Sequence, residues 1–279
     1  MPSKKTPIIE YLFNLHWDEK SQRLSKAVMT QLDFQSAIRH FLNTGRTTLS
    51  DRNVANFMKD VVRGQHASRN WPASLTAKRY TAIQATGEGD VFEFVPFLQG
   101  QEEPFPDKFK PRDDIQRHLV SSVKVPLFAR DLGRADEPWL VQTAVSLGVL
   151  ETHFGVYSPL NVLQLTHLQM SVKLRATEID ALFLAICRDG THERRVLVTC
   201  EAKQARERIL EQQIIEQISA ALDIKDIDGV VAVGIRAIRG VGFYLVEFAE
   251  AKKSTFIRTA QLVSVREIVY ILKPSLKGI

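Results

Sequence analysis

Residues 177–203 read TEIDALFLAICRDGTHERRVLVTCEAK. Two short apolar runs, 179–186 and 195–200, flank the turn-forming stretch Arg188-Asp189-Gly190-Thr191. Short apolar runs bounded by such residues read as buried strands. Residues two apart on a strand project to the same side, so the Glu201 carboxylate and the Lys203 ammonium stand next to each other. If the runs pair antiparallel through the turn near Gly190, Asp180 falls beside Glu201.

The tripeptide (Asp/Glu)-x-Lys is common, and the chain holds it four times: at Asp18–Lys20, Glu201–Lys203, Asp223–Lys225 and Glu250–Lys252. Context separates them. Glu201 and Lys203 end an apolar strand, with an acid at the start of the preceding one. The nearest rival pairs Asp228 with Glu250, 22 residues on, against 21 from Asp180 to Glu201. After Lys252 the chain runs into the strand-like segment 255–258 rather than an amphipathic helix, which places the rival well behind.

Working outward, residues 139–154 carry Leu140, Ala144, Leu147 and Leu150 at helical spacing, with Pro138 where a first turn tolerates it. A strand is expected over 162–174. Beyond Lys203, residues 206–222 place Ile209, Leu210, Gln213, Ile214, Gln217, Ile218 and Ala221 on one side of a helix. Strands over 230–235 and 243–248 follow, and a last strand or helix ends near Leu272. Two carboxylates offer oxygen ligands for Mg²⁺, whose retained waters supply a nucleophile. A neighbouring lysine positions that water and offsets charge developing on a phosphate.

Helix, strand, strand with Asp, strand with Glu-x-Lys, helix, strand resembles the αβββαβ core of the PD-(D/E)XK, or restriction-endonuclease-like, superfamily over residues 137–250. The resemblance implies an α/β fold with a mixed sheet and flanking helices. It implies Mg²⁺, with Mn²⁺ able to substitute, held by Asp180 and Glu201, and Lys203 as the catalytic lysine. Ile179 stands where the naming proline would be, a departure many members share. Glu137-Pro138-Trp139-Leu140-Val141 is similar to the Glu-x-x-Leu-Val pattern that completes the metal site in the resolvase-like branch. Glu137 is therefore a third candidate ligand, with interaction at a helix N-terminus as its other reading and Glu151 as its rival. Gln213, and Gln217 four residues on, resemble the polar helix residues that face the site in related nucleases, or are core-edge amides. Lys173 is a candidate phosphate contact.

The N-terminal part differs in character. Between residues 39 and 86 stand eight basic residues, Arg39, Arg46, Arg52, Lys59, Arg63, Arg69, Lys78 and Arg79, against two acids, Asp51 and Asp60. Such an excess suits a phosphate-contacting surface; Arg46, Arg52, Lys59, Arg63, Arg69, Lys78 and Arg79 are the candidate DNA contacts. Helices are expected over 34–43 and 53–62, then a hairpin of strands 80–84 and 91–95 around a Gly-rich turn at 86–90. Two helices and a hairpin resemble a winged-helix module, giving a smaller α+β domain. The Pro-rich stretch 102–112 reads as a linker, so the expected domains are 1–112 for DNA recognition and 113–279 for catalysis.

The 279 residues carry a net charge of +5, and no apolar run reaches the ~18 residues of a membrane span. The opening residues lack a signal pattern. Cys187 and Cys200 sit in apolar runs without CxxC spacing, as in a reducing compartment, so a cytoplasmic protein is expected. No HExxH, phosphate-binding loop or Gly-x-Ser-x-Gly elbow occurs, so neither zinc chemistry nor a nucleotide cofactor is expected. The expected activity is Mg²⁺-dependent cleavage of double-stranded DNA by a type II restriction endonuclease acting as a homodimer. The alternatives are a structure-specific repair or recombination nuclease and a non-catalytic DNA-binding protein on the same scaffold.

Overall fold

The computed structural model describes residues 3–52, 54, 57, 61–62, 67–84, 90–174, 177–257 and 261–279. The chain divides into two compact units, Met1–Asp107 and Lys108–Ile279. The division falls within the Pro-rich stretch but before residue 112, because Phe109 belongs to the core of the second unit, edge-on against Phe248 at 4.9 Å.

The first unit holds helices α1 (Thr6–His16), α2 (Gln31–Asn43), α3 (Ala67–Asn70) and α4 (Ala73–Ala77), the pair β1 (Trp17–Asp18) and β2 (Arg23–Leu24), and strands β3 (Val28–Thr30), β4 (Tyr80–Gln84) and β5 (Asp90–Pro96). The last three form an antiparallel sheet in the order β3-β5-β4. Thr30 and Asp33 close a capping box that starts α2 three residues before the expected helix start at Phe34. Helix α1 escaped the reading of the sequence, although Ile8, Ile9, Leu12 and Phe13 bury one face of it. Phe13, Phe34, Phe92 and Phe94 are buried together, Phe92 meeting Phe94 edge-on at 4.6 Å. The helix expected over 53–62 lies largely outside the described residues, as do Lys59, Arg63 and nearly all of the hairpin turn.

The second unit is a mixed seven-stranded sheet with helices on both faces. Its elements are β6 (Arg117–Ser121), α5 (Leu127–Leu132), α6 (Glu137–Ser146), α7 (Val149–Val156), β7 (Val162–Leu174), β8 (Thr177–Asp189), β9 (His192–Lys203), α8 (Glu211–Ala221), β10 (Gly229–Ile238), β11 (Gly242–Phe248) and β12 (Ser264–Lys273). The strand order is β6-β12-β11-β10-β9-β8-β7. β7, β8 and β9 run antiparallel, whereas β9 and β10 are parallel neighbours joined through α8. Alternation along β9 divides its side chains. Val196, Val198, Cys200 and Ala202 pack toward Leu140, Ala144 and Leu150 of α6 and α7, while Leu197 packs toward Ile214 and Ile218 of α8.

Several boundaries differ from expectation for local reasons. The helix expected over 139–154 is two helices, broken at Gly148, whose φ of 63° is left-handed. α8 starts at Glu211 rather than near residue 206, because Gln204 to Glu207 form a turn, with Glu207 N–H donating to the Gln204 carbonyl at 2.9 Å. Glu211 then anchors the helix start by accepting from Leu262 N–H and Lys108 Nζ, each at 2.7 Å. The final element is a strand, and the short edge strand β6 pairs parallel with it.

Gly242 opens β11 with φ 152°, and a Cβ there would lie 2.1 Å from the Tyr270 carbonyl oxygen. Gly242→Ala is expected to cost about 1–3 kcal/mol of stability. Urea unfolding of this variant at the parent's midpoint would show that the backbone there yields freely.

Candidate active site

The register carries Asp180 to the third strand. Ala181 pairs with Cys200, so Asp180 falls one step beyond, alongside Glu201. Its Oδ2 accepts from Ala202 N–H at 2.7 Å. Asp180 lies on the same face as Leu182, and Glu201 and Lys203 on the same face as Leu197, which is the face covered by α8.

Glu201 is 1% and Lys203 2% exposed, values at which ionised side chains require partners. The Lys203 ammonium donates to Glu201 Oε1, to Glu137 Oε1 at 2.8 Å and to the Ala202 carbonyl at 3.1 Å. Gln217 of α8 donates through Nε2 to Glu201 Oε2 and to the Glu178 carbonyl, the latter at 2.9 Å. Both oxygens of Glu201 are thereby engaged. Glu137 opens α6, where the helix dipole favours a carboxylate, and reaches Lys203 from outside the sheet. Glu151, its rival, lies exposed in the first turn of α7.

The electrostatics follow from burial. Burial and the adjacent Glu201 push the Asp180 pKa up to about 7. Burial also raises Glu201, against the pull of Lys203. Burial would lower the Lys203 pKa, yet Glu201 and Glu137 outweigh it and hold the ammonium charged well above the ordinary lysine range. The site therefore couples one firmly charged cation to acids whose ionisation is costly without a further positive charge.

Among the described residues no group of three or more His, Cys, Asp and Glu side chains is arranged to hold a metal ion. The donors present are nonetheless hard oxygens: the Asp180 and Glu201 carboxylates and the Ala202 carbonyl, which Lys203 also meets. Mg²⁺ keeps several waters and is commonly bound by one or two carboxylates, so this donor set fits it. Gln213 Oε1 and Gln217 Oε1 are buried without a hydrogen-bond partner; both residues lie on α8. Of the two glutamines, Gln217 is the one bonded to Glu201.

The rival pair serves other ends. Asp228 Oδ2 accepts from Arg195 N–H at 2.7 Å, and Glu250 takes a two-pronged grip from Arg194, at 2.6 and 3.2 Å. Residues 252–257 form a turn and coil rather than a strand. Of the basic candidates, Arg46, Arg52, Arg69 and Lys173 are exposed. Lys78 is occupied, paired with Glu19 at 2.7 Å and over the Trp17 ring at 4.4 Å. Arg79 is exposed but donates to the Gln101 carbonyl at 3.0 Å and lies 5.3 Å over the Phe97 ring. No helix among the described residues is long and apolar enough to cross a membrane. No family model, curated protein or solved structure matches the chain.

Proposed function

We propose that the second unit is the catalytic half of a Mg²⁺-dependent endodeoxyribonuclease of the PD-(D/E)XK type, and that the whole chain is a cytoplasmic type II restriction endonuclease acting on double-stranded DNA. One observation carries this reading: the buried Glu201 and Lys203 side chains beside Asp180 on adjoining strands. A sheet needs no such cluster for stability, since buried ions cost desolvation that apolar residues of similar volume avoid. This weighs against a purely structural scaffold and supports catalysis.

Mg²⁺ bound there would polarise a phosphodiester and lower the pKa of a coordinated water. Asp180 and Glu201 are the residues to hold it. Lys203, charged at neutral pH, orients the attacking water and offsets charge growing on the phosphate oxygens. Gln217 fixes the Glu201 carboxylate from the helix side, and Glu137 shares the ammonium from the other.

The first unit is read as a winged-helix recognition domain. Its support is a small antiparallel sheet with β5 central between β3 and β4, packed with helices that precede the β4–β5 hairpin in the chain, and the exposed Arg46, Arg52 and Arg69. Pairing of two copies would let two sites attack both strands.

Purified chain with Mg²⁺ is expected to nick or linearise supercoiled plasmid, EDTA to stop it and added Mn²⁺ to restore it. Plasmid left intact in both metals would refute the proposal, and cleavage confined to branched DNA would favour the repair and recombination reading. Arg52→Glu is expected to weaken duplex binding and flatten the dependence of affinity on salt by about one unit of slope; binding equal to the parent's at every salt concentration would remove the first unit from DNA recognition.

A further inference from the structure

We infer that Gln204, immediately after the catalytic lysine, is a positioning residue that seats Glu137 at the site. The inference rests on the reading of Glu137, Glu201 and Lys203 as one active site. Lys203 and Gln204 both reach the start of α6. Lys203 Nζ donates to Glu137 Oε1 at 2.8 Å, and Gln204 Nε2 donates to the carbonyl of Asp136, the residue before Glu137, at 2.7 Å.

The helix itself does not require this second bond. The Asp136 carbonyl already accepts Leu140 N–H at 3.2 Å, and the Asp136 side chain caps Trp139 N–H at 3.0 Å. The Gln204 amide takes the remaining acceptor capacity of that carbonyl, so its contribution is to location: it ties the first turn of α6 to the end of β9. Gln204 is held in its turn, its N–H donating to Glu207 Oε2 at 3.1 Å. One step further, Arg236 Nη2 donates to the Ala205 carbonyl at 3.1 Å, and Arg236 stands opposite Lys203 in the parallel pair. Residues 203, 204 and 205 are thus each tied to a different neighbour, and the partner gained through Gln204 is the turn that presents Glu137. Glu137 is the most exposed member of the cluster, at 36% of its side chain, and so the one whose placement burial enforces least.

The test reads the Lys203 side-chain ammonium by ¹H–¹⁵N NMR in the metal-free full chain, independently of any cleavage. Glu137→Gln is expected to shift its resonance. Gln204→Ala is expected to shift it in the same direction, and the Glu137→Gln/Gln204→Ala double variant to move it no further than Glu137→Gln alone. Should Gln204→Ala fold poorly, the isosteric Gln204→Glu, which replaces the donor with an acceptor facing the Asp136 carbonyl, is expected to give the same shift. An ammonium resonance unmoved by either Gln204 variant, or a double variant whose shift is the sum of the two singles, would overturn the inference. Plasmid cleavage gives the second readout: Gln204→Ala is expected to raise the Mg²⁺ concentration for half-maximal rate about 10-fold at an unchanged melting temperature, and an unchanged Mg²⁺ requirement would count against it. A parent chain that cuts no DNA would defeat the nuclease reading alone, leaving the ammonium resonance to judge the placement of Glu137.

Discussion

Lys203→Ala is expected to lower the rate of DNA cleavage by about 10²–10³-fold, the usual cost of deleting one preorganised charge-stabilising group, while duplex binding stays near the parent's. The ammonium is nearly sealed from solvent and bonds both Glu201 and Glu137, which hold it charged above the ordinary lysine range. Its removal leaves Glu201 buried with Gln217 as its remaining side-chain donor. Folding of the variant must therefore be checked by circular dichroism before its rate is interpreted. Lys252→Ala is the matched control, since Lys252 follows the Arg194-bound Glu250 in the rival motif; it is expected to cut like the parent. Cleavage by Lys203→Ala within a few-fold of the parent would remove the lysine from the chemistry.

A second large effect concerns pH and metal together. Burial and Glu201 hold the folded-state pKa of Asp180 at about 7, above the ordinary 3.8. Stability from the protonated carboxyl is therefore full below about pH 4 and is lost as pH climbs through about 7, because ionisation is easier in the unfolded chain. A divalent cation bound to the carboxylate reverses that penalty. Added Mg²⁺ is accordingly expected to stabilise the parent more at pH 8 than at pH 5, the whole stabilisation at pH 8 being about 2.7 kcal/mol at a hundredfold excess over its dissociation constant there. Asp180→Asn is expected to melt higher than the metal-free parent at pH 8 and to gain little from Mg²⁺. Equal Mg²⁺-induced shifts in parent and variant would place the ion elsewhere.

How much of this was legible in the sequence follows from what each signal depends on. β8 and β9 were visible because runs such as 179–186 and 195–200 have one side chain in two packed against each face of a sheet, and their turn chemistry around Gly190 is local. The adjacency of Asp180 and Glu201 followed from counting back from that turn. β9 is longer than its apolar run: it extends from His192 to Lys203 because residues 192–194 pair across to β8 and residues 201–203 pair with β10, which hydrophobic patterning does not register. The break at Gly148 was overridden in the sequence by apolar spacing that continues through it. β6 escaped notice since its residues alternate only weakly and its pairing partner lies about 150 positions away along the chain, at β12. At the site, Gln213 and Gln217 looked equivalent from their spacing; a difference of one helical turn decides which amide meets Glu201, and spacing alone cannot resolve it. Gln204 carried no signal at all, because its bond to the Asp136 carbonyl exists only once α6 lies against the end of β9.

The central claim is that Asp180 and Glu201 hold a divalent cation beside Lys203. Crystals of the chain soaked in Mn²⁺ would test it most directly through anomalous diffraction. The expected result is a single strong peak bridging the Asp180 and Glu201 carboxylates, absent from Asp180→Asn crystals treated identically. A peak elsewhere, or none at Mn²⁺ concentrations that support plasmid cleavage, would contradict it.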